Sequence, residues 1–135
     1  MVWRSQPMTN DRYGEKAIAD AALETWDNPM PDEDYTVSLE FSEFTCLCPR
    51  SGYPDFATIY ITYVPDRCIV ELKSLKLYLN GYRGRYMTHE EATNTIYRDL
   101  QDVVRPRSLE VVGEFNVRGG VRTTVRCGAY DKASQ

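Results

Sequence analysis

The chain predicts an α+β fold, a four-stranded antiparallel sheet with two helices on one face. Three observations predict it. Two stretches of alternating polarity are followed by two whose apolar residues recur at helical spacing, and then by two more that alternate. Strands and helices segregated in this order build a sheet with its helices on one side. Arg118-Gly119-Gly120 stands between the last two stretches as a hairpin signal. The 135 residues are the length of one domain, residues 1–135, with no internal repeat.

Residues 1 to 11 are polar. Arg12 to Trp26 reads as a helix: it is Ala-rich, Asp11 is placed to cap it, and Ile18, Ala22 and Trp26 share a face. Asn28-Pro29-Met30-Pro31-Asp32 stops it, so residues 1–34 form an extension before a core of residues 35–130. Tyr35 to Phe44 sets Tyr35, Val37, Leu39 and Phe41 against Thr36, Ser38, Glu40 and Ser42, a half-buried strand. Phe56 to Val64 is the second strand, with Ala57, Ile59, Ile61 and Tyr63 on one face, and Pro65-Asp66 ends it.

The period then changes. Leu72, Leu75, Leu79 and Tyr82 make one stripe of a helix from Glu71 to Tyr82. A second helix runs from Thr88 to Val104. Thr88 and Glu91 form its capping box, Ala92, Ile96, Leu100 and Val103 its apolar stripe, and Pro106 its stop. Ser108–Val117 and Val121–Ala129 are the closing strands, before a polar tail from Tyr130.

Composition excludes several functions. At 42% hydrophobic and 27% charged the chain is expected to fold rather than stay disordered. A net charge of −4 with no long basic run offers no surface for neutralising phosphates, so no direct nucleic-acid partner is expected. No apolar window is long enough to span a membrane, and Met1-Val2-Trp3-Arg4-Ser5-Gln6 lacks the core of a signal peptide. A cytoplasmic protein with its four cysteines reduced is expected. Cys46 and Cys48 suggest a metal corner, but no second ligand pair accompanies them, so no metal is assigned.

Chemistry concentrates in Phe44-Thr45-Cys46-Leu47-Cys48-Pro49-Arg50-Ser51-Gly52-Tyr53-Pro54-Asp55-Phe56-Ala57. Pro49, Gly52 and Pro54 make the turn stiff and non-helical, so Cys48 and Asp55 keep a repeatable separation. A thiol becomes a nucleophile when a neighbour takes and returns its proton. The same residues also fit a buried cysteine beside a turn aspartate.

Cys48-Pro49-x-x-Gly52-x-Pro54-Asp55-Phe56-Ala57 resembles the active-site loop of the NADPH-dependent nitrile reductases of queuosine biosynthesis, the QueF family. Glu71-Leu72-Lys73-Ser74-Leu75-Lys76-Leu77-Tyr78 resembles that family's signature block, and His89-Glu90-Glu91 stands where the family places its base-recognition pair. The three occur in the family's order, and the likeness runs from Tyr35 to Gly128.

The resemblance implies the tunnelling fold, whose sheets join between subunits into a barrel, with active sites at subunit interfaces of a homo-oligomer. It implies reduction of 7-cyano-7-deazaguanine with NADPH. Cys48 would be the nucleophile and Asp55 the proton carrier. Val70, Glu71, Leu72, His89 and Glu90 would meet the substrate. Lys73, Lys76 and Arg118 are candidates for the cofactor's phosphates, since they are cations and Arg118 opens a bare glycine turn. With no Gly-x-Gly-x-x-Gly after a strand, the cofactor is expected at a surface between subunits. Some family members carry a protective second cysteine just after the His-Glu pair; here Glu91-Ala92-Thr93 has none. The alternatives are an amidine-forming relative that would use a thioimide on the same Cys48, a zinc-dependent cyclohydrolase of the same fold, and a purine- or pterin-binding module without catalysis.

Overall fold

Alternation along the second long strand decides the layering: Ala57, Ile59, Ile61 and Tyr63 are buried while Thr58, Tyr60 and Thr62 are only partly covered. A computed structural model describes residues 12–128. In chain order it has α1 (Tyr13–Ala19), β1 (Thr25–Asp27), β2 (Val37–Leu47), β3 (Pro54–Val64), β4 (Cys68–Val70), α2 (Leu72–Asn80), a 3-10 turn (Gly81–Gly84), α3 (His89–Val104), β5 (Ser108–Arg118) and β6 (Val121–Cys127). The main sheet runs β2-β3-β5-β6, antiparallel throughout. Helices α2 and α3 cover one face. Phe44, Ile59, Ile61, Val111 and Phe115 from the strands meet Leu75, Leu79, Ile96 and Leu100 from the helices in one core. None of the helices is long and apolar enough to cross a membrane among the described residues.

Several expectations need correction. The helix expected over Arg12–Trp26 ends at Ala19, and Arg12 rather than Asp11 occupies the capping position; Asp11 lies outside the described residues. Trp26 belongs to β1, which pairs with β4 as a separate two-stranded sheet. Backbone pairing with Cys68–Val70 outweighs the local helical preference of the alanines. On α2, Leu72 is exposed and Ser74 is buried instead. The Ser74 hydroxyl donates to Glu71 O at 2.7 Å and accepts from the Glu24 N–H at 3.0 Å, which turns that face inward. On α3 the stripe closes with Val104, not Val103. The final strand stops at Cys127; Ala129 and the tail from Tyr130 lie outside the described residues.

Two features place the site. A bulge between Phe41 and Phe44 shifts the phase of β2, so Phe44 and Cys46 point into the core where simple alternation would point Thr45 and Leu47. Gly113 lets α3 approach β5: a Cβ there would lie 2.5 Å from Thr93 Oγ1 and 3.0 Å from the Phe115 ring. Thr93 in turn donates to His89 O at 2.9 Å, in the first turn of α3. Gly113→Ala is therefore expected to destabilise the chain by about 1–3 kcal/mol, as overpacking does. An unchanged urea midpoint would contradict this.

Candidate active site

The loop after β2 is closed by its own backbone. Cys48 N–H donates to Tyr53 O and Gly52 N–H to Cys48 O, each at 2.8 Å. Gly52 has φ +75°, a left-handed conformation glycine adopts without strain. Arg85–Met87 brace the loop's base: Leu47 N–H donates to Arg85 O at 2.9 Å and Met87 N–H to Leu47 O at 3.0 Å. Across the ladder Cys46 stands opposite Asp55.

The Asp55 side chain turns to the helix-covered face and is 7% exposed. Its two oxygens meet two different elements. Arg118, at the end of β5, pairs with Oδ1. His89 Nε2, at the start of α3, lies 3.3 Å from Oδ2. The imidazole is stacked on Phe115 with centroids 3.9 Å apart and planes 10° from parallel. The Arg118 guanidinium also lies 5.8 Å from the centre of the Tyr53 ring. Cys48, Asp55, His89 and Arg118 thus come to one end of the sheet, with Glu90 exposed beside His89 on the capped first turn of α3.

The two thiols of the Cys-x-Cys pair behave oppositely. Hydrogen bonding from the Ser51 hydroxyl, then from the N–H groups of Ser51 and Arg50, brings Cys48 down to about 7, with the Arg118 charge acting in the same direction. Burial, then the Asp55 charge, pushes Cys46 up to about 11. Cys46 Sγ is directed at Met87 O, 3.9 Å away. Alkylation by iodoacetamide should therefore fall on Cys48 and spare Cys46, its rate rising with pH through an inflection near 7 as the thiolate forms. An inflection near 9 would contradict it. Fragmenting the peptide that carries both cysteines distinguishes them.

The remaining predicted residues lie elsewhere. Val70 is buried, Glu71 half-buried, and Leu72, Lys73 and Lys76 exposed at the start of α2. Val70 N–H donates to the Tyr63 hydroxyl at 3.1 Å. Glu71 caps α2, accepting from Ser74 N–H at 2.6 Å and Lys73 N–H at 3.1 Å, and these bonds hold its carboxyl below the usual range. Glu71 N–H donates to Glu24 O at 2.9 Å, so the β1 segment fixes this corner. Beside it lies a groove of about 370 Å³ lined by Trp26, Tyr35, Val37, Tyr63, Val70 and Leu72.

This corner is at the opposite end of the sheet from Cys48. Val37 pairs with Tyr63 at one end of the β2–β3 ladder and Leu47 with Pro54 at the other. The strand from Leu39 to Leu47 spans about 25 Å at the usual rise. One chain does not bring the two groups together. Sequence reasoning missed Trp26 and Tyr35 as lining residues; an aromatic on either side of the Pro-rich connector was the available signal.

The cationic residues suit a phosphate-bearing cofactor. Lys73 and Lys76 form no ion pair among the described residues. The turn after Arg118 is open: Gly119 and Gly120 have φ +59° and +82°, and nothing lies within 4 Å of a Cβ at either. Arg118 itself is engaged with Asp55. Among the described residues no group of three or more His, Cys, Asp or Glu is arranged to hold a metal ion.

The family model for QueF, the QueF-like protein, matches residues 54–134. The chain belongs to the QueF family. Its relatives in that family include an NADPH-dependent 7-cyano-7-deazaguanine reductase of Aquifex aeolicus, 63% identical over 115 residues, or 85% of this chain and 89% of the relative. The enzyme of the same name from Microcystis aeruginosa is 51% identical over 84% of this chain and 87% of its own. That of Campylobacter jejuni is 48% identical over 86% and 93%. A crystal structure of an archaeosine synthase QueF-like protein in the apo form shares the fold, with a TM-score of 0.64 at 24% identity over 68% of this chain and 90% of that one. The QueF match begins at Pro54 and so takes in Asp55, His89, Glu90 and Arg118.

Proposed function

We propose that this chain reduces the nitrile of 7-cyano-7-deazaguanine to the primary amine with NADPH, through a thioimide on Cys48, as a step towards queuosine in tRNA. The observation that carries the reading is the geometry after β2: the Cys48 loop runs straight into β3 at the buried carboxylate of Asp55, whose two oxygens meet His89 and Arg118. The names of the QueF relatives support the reaction and the cofactor.

A nitrile carbon is linear and weakly electrophilic. The Cys48 sulfur adds to it, one C–N π bond opens, and the nitrogen takes a proton, giving a trigonal thioimide. Asp55, with His89 at its second oxygen, delivers that proton. Glu90 accepts paired hydrogen bonds from the amino group and ring N–H of the base, with His89 beside it. Lys73, Lys76 and Arg118 would hold NADPH through its phosphates, and the cofactor would supply hydride there, two equivalents for complete reduction. Between the two reductions Cys48 leaves as thiolate, and an enclosing site keeps water from the imine.

Enclosure needs a second copy. Cys48, Asp55, His89, Glu90 and Arg118 form one half-site, and Val70, Glu71, Leu72, Lys73 and Lys76 the other, about 25 Å apart along β2. A homo-oligomer that sets one protomer's first half against its partner's second half completes the site. Strands β2 and β6 are the open edges of the sheet, and pairing them into a closed barrel would remove both. The substrate is a small molecule of the cytoplasm, and neither nucleic acid nor membrane is contacted.

The test mixes the protein with the nitrile and NADPH and follows the absorbance of the reduced cofactor. Two NADPH consumed per amine formed is the expected result. Adduct formation without NADPH oxidation, with amidine appearing once ammonia is added, would assign the chain to the amidine-forming chemistry instead.

A further inference from the structure

Arg118 has two calls on one guanidinium. It is a candidate anchor for the cofactor's phosphates, beside a glycine turn with open space around it. In the free chain its fork is already occupied. Nη1 pairs with Asp55 Oδ1, Nη2 lies 3.5 Å from Ser51 Oγ, and the guanidinium carbon lies 5.8 Å from the centre of the Tyr53 ring. A phosphate takes the same paired N–H groups that a carboxylate takes.

The two sides of the pair differ in their freedom. The Asp55 side chain is 7% exposed and that of Arg118 48%. Asp55 stands in the ladder opposite Cys46, and His89 Nε2 lies 3.3 Å from its other oxygen. Arg118 reaches in from the rim, at the last ladder pair of the β5–β6 hairpin. When the pair opens, the arginine is the partner that moves. Opening uncovers one oxygen of a buried carboxylate, which is costly. The pair therefore stays closed until another anion takes the guanidinium.

We propose that Arg118 is shared between two anions: it covers Asp55 Oδ1 in the free chain, and a cofactor phosphate competes with Asp55 for it, so that binding the cofactor uncovers the carboxylate. This deepens the reductase reading and rests on its assignment of Arg118 to the cofactor. Each hydride reduction also consumes one proton. Arg118 leaving Oδ1 uncovers a proton-carrying oxygen at the stage where that proton is needed. Formation of the thioimide, which needs no cofactor, uses Oδ2 and His89.

The test is a binding measurement. NADP+, which carries the phosphates but no hydride to give, is titrated calorimetrically into the full chain without nitrile. Failure here is thus distinct from failure of the reductase reading, which the oxidation assay decides. Asp55→Asn removes the competing charge and keeps the shape, and it should bind NADP+ at least about fivefold more tightly than the parent. Asp55→Ala, a second variant should the first fail to fold, should tighten binding in the same way. In an Arg118→Ala background neither change at Asp55 should alter the Kd. Unchanged binding in the folded Asp55 variants overturns the proposal. So does weaker binding, which would mean that Asp55 holds Arg118 ready for the phosphate. Equal tightening without Arg118 also overturns it, since the effect would then be one of general charge.

Discussion

Cys48→Ala is expected to lose all NADPH oxidation with the nitrile while remaining folded. No other thiol can take over. Cys46 is buried, pushed up to about 11 and directed at Met87 O. Cys68 donates to Val104 O at 3.1 Å, on the far side of the core. Cys127 is buried, and burial pushes its thiol up. The substitution itself is mild, because Cys48 sits in a loop closed by backbone bonds that alanine also makes. Removing a covalent nucleophile costs the whole pathway rather than one contact in it. Turnover near the parent's in this variant would remove Cys48 from the reaction.

The second large effect is a gain. Cys48→Ala and the double reversal Lys73→Glu with Lys76→Glu should each be inactive alone, the first for want of the nucleophile and the second for want of the cofactor's anchor. Co-expressed, the two should recover activity if half-sites come from different protomers. With random assembly, about a quarter of interfaces pair an intact first half with an intact second half. Purified mixed oligomers are assayed for NADPH oxidation per chain. Recovery to about a quarter of the parent rate is expected. No recovery, in oligomers shown to contain both variants, would place the whole site within one protomer.

Local pattern made much of this legible. The change of period at Glu71, the Thr88–Glu91 capping box and the glycine turn after Arg118 each depend on neighbours in sequence, and α2, α3 and the β5–β6 hairpin stand where those signals put them. What was not legible depends on distant partners. The three-residue ladder of β1 on β4 has no periodicity of its own, so Trp26 read as helix. The bulge at Phe41–Phe44 appears only once β3 is laid beside β2.

The site divides in the same way. Cys48 and Asp55 were readable from a stiff loop. The pairing of Arg118 with Asp55, 63 residues earlier, was not, and sequence reasoning saw only a cation free for phosphate. Ser51 looked like any turn serine. Tyr78, which closes the Glu-x-Lys-x-x-Lys-x-aromatic block, proves to be a clasp between helices: its hydroxyl donates to Asp99 at 2.5 Å and lies 2.7 Å from the Tyr82 hydroxyl.

The covalent step is open to direct observation. The chain is incubated with 7-cyano-7-deazaguanine and no NADPH, its mass is measured intact, and the modified peptide is fragmented. The expected mass gain is that of the whole nitrile, with no atom lost, carried on Cys48 and discharged when NADPH is added. An unmodified chain that nonetheless reduces the nitrile, or a gain carried on any other residue, would contradict the account.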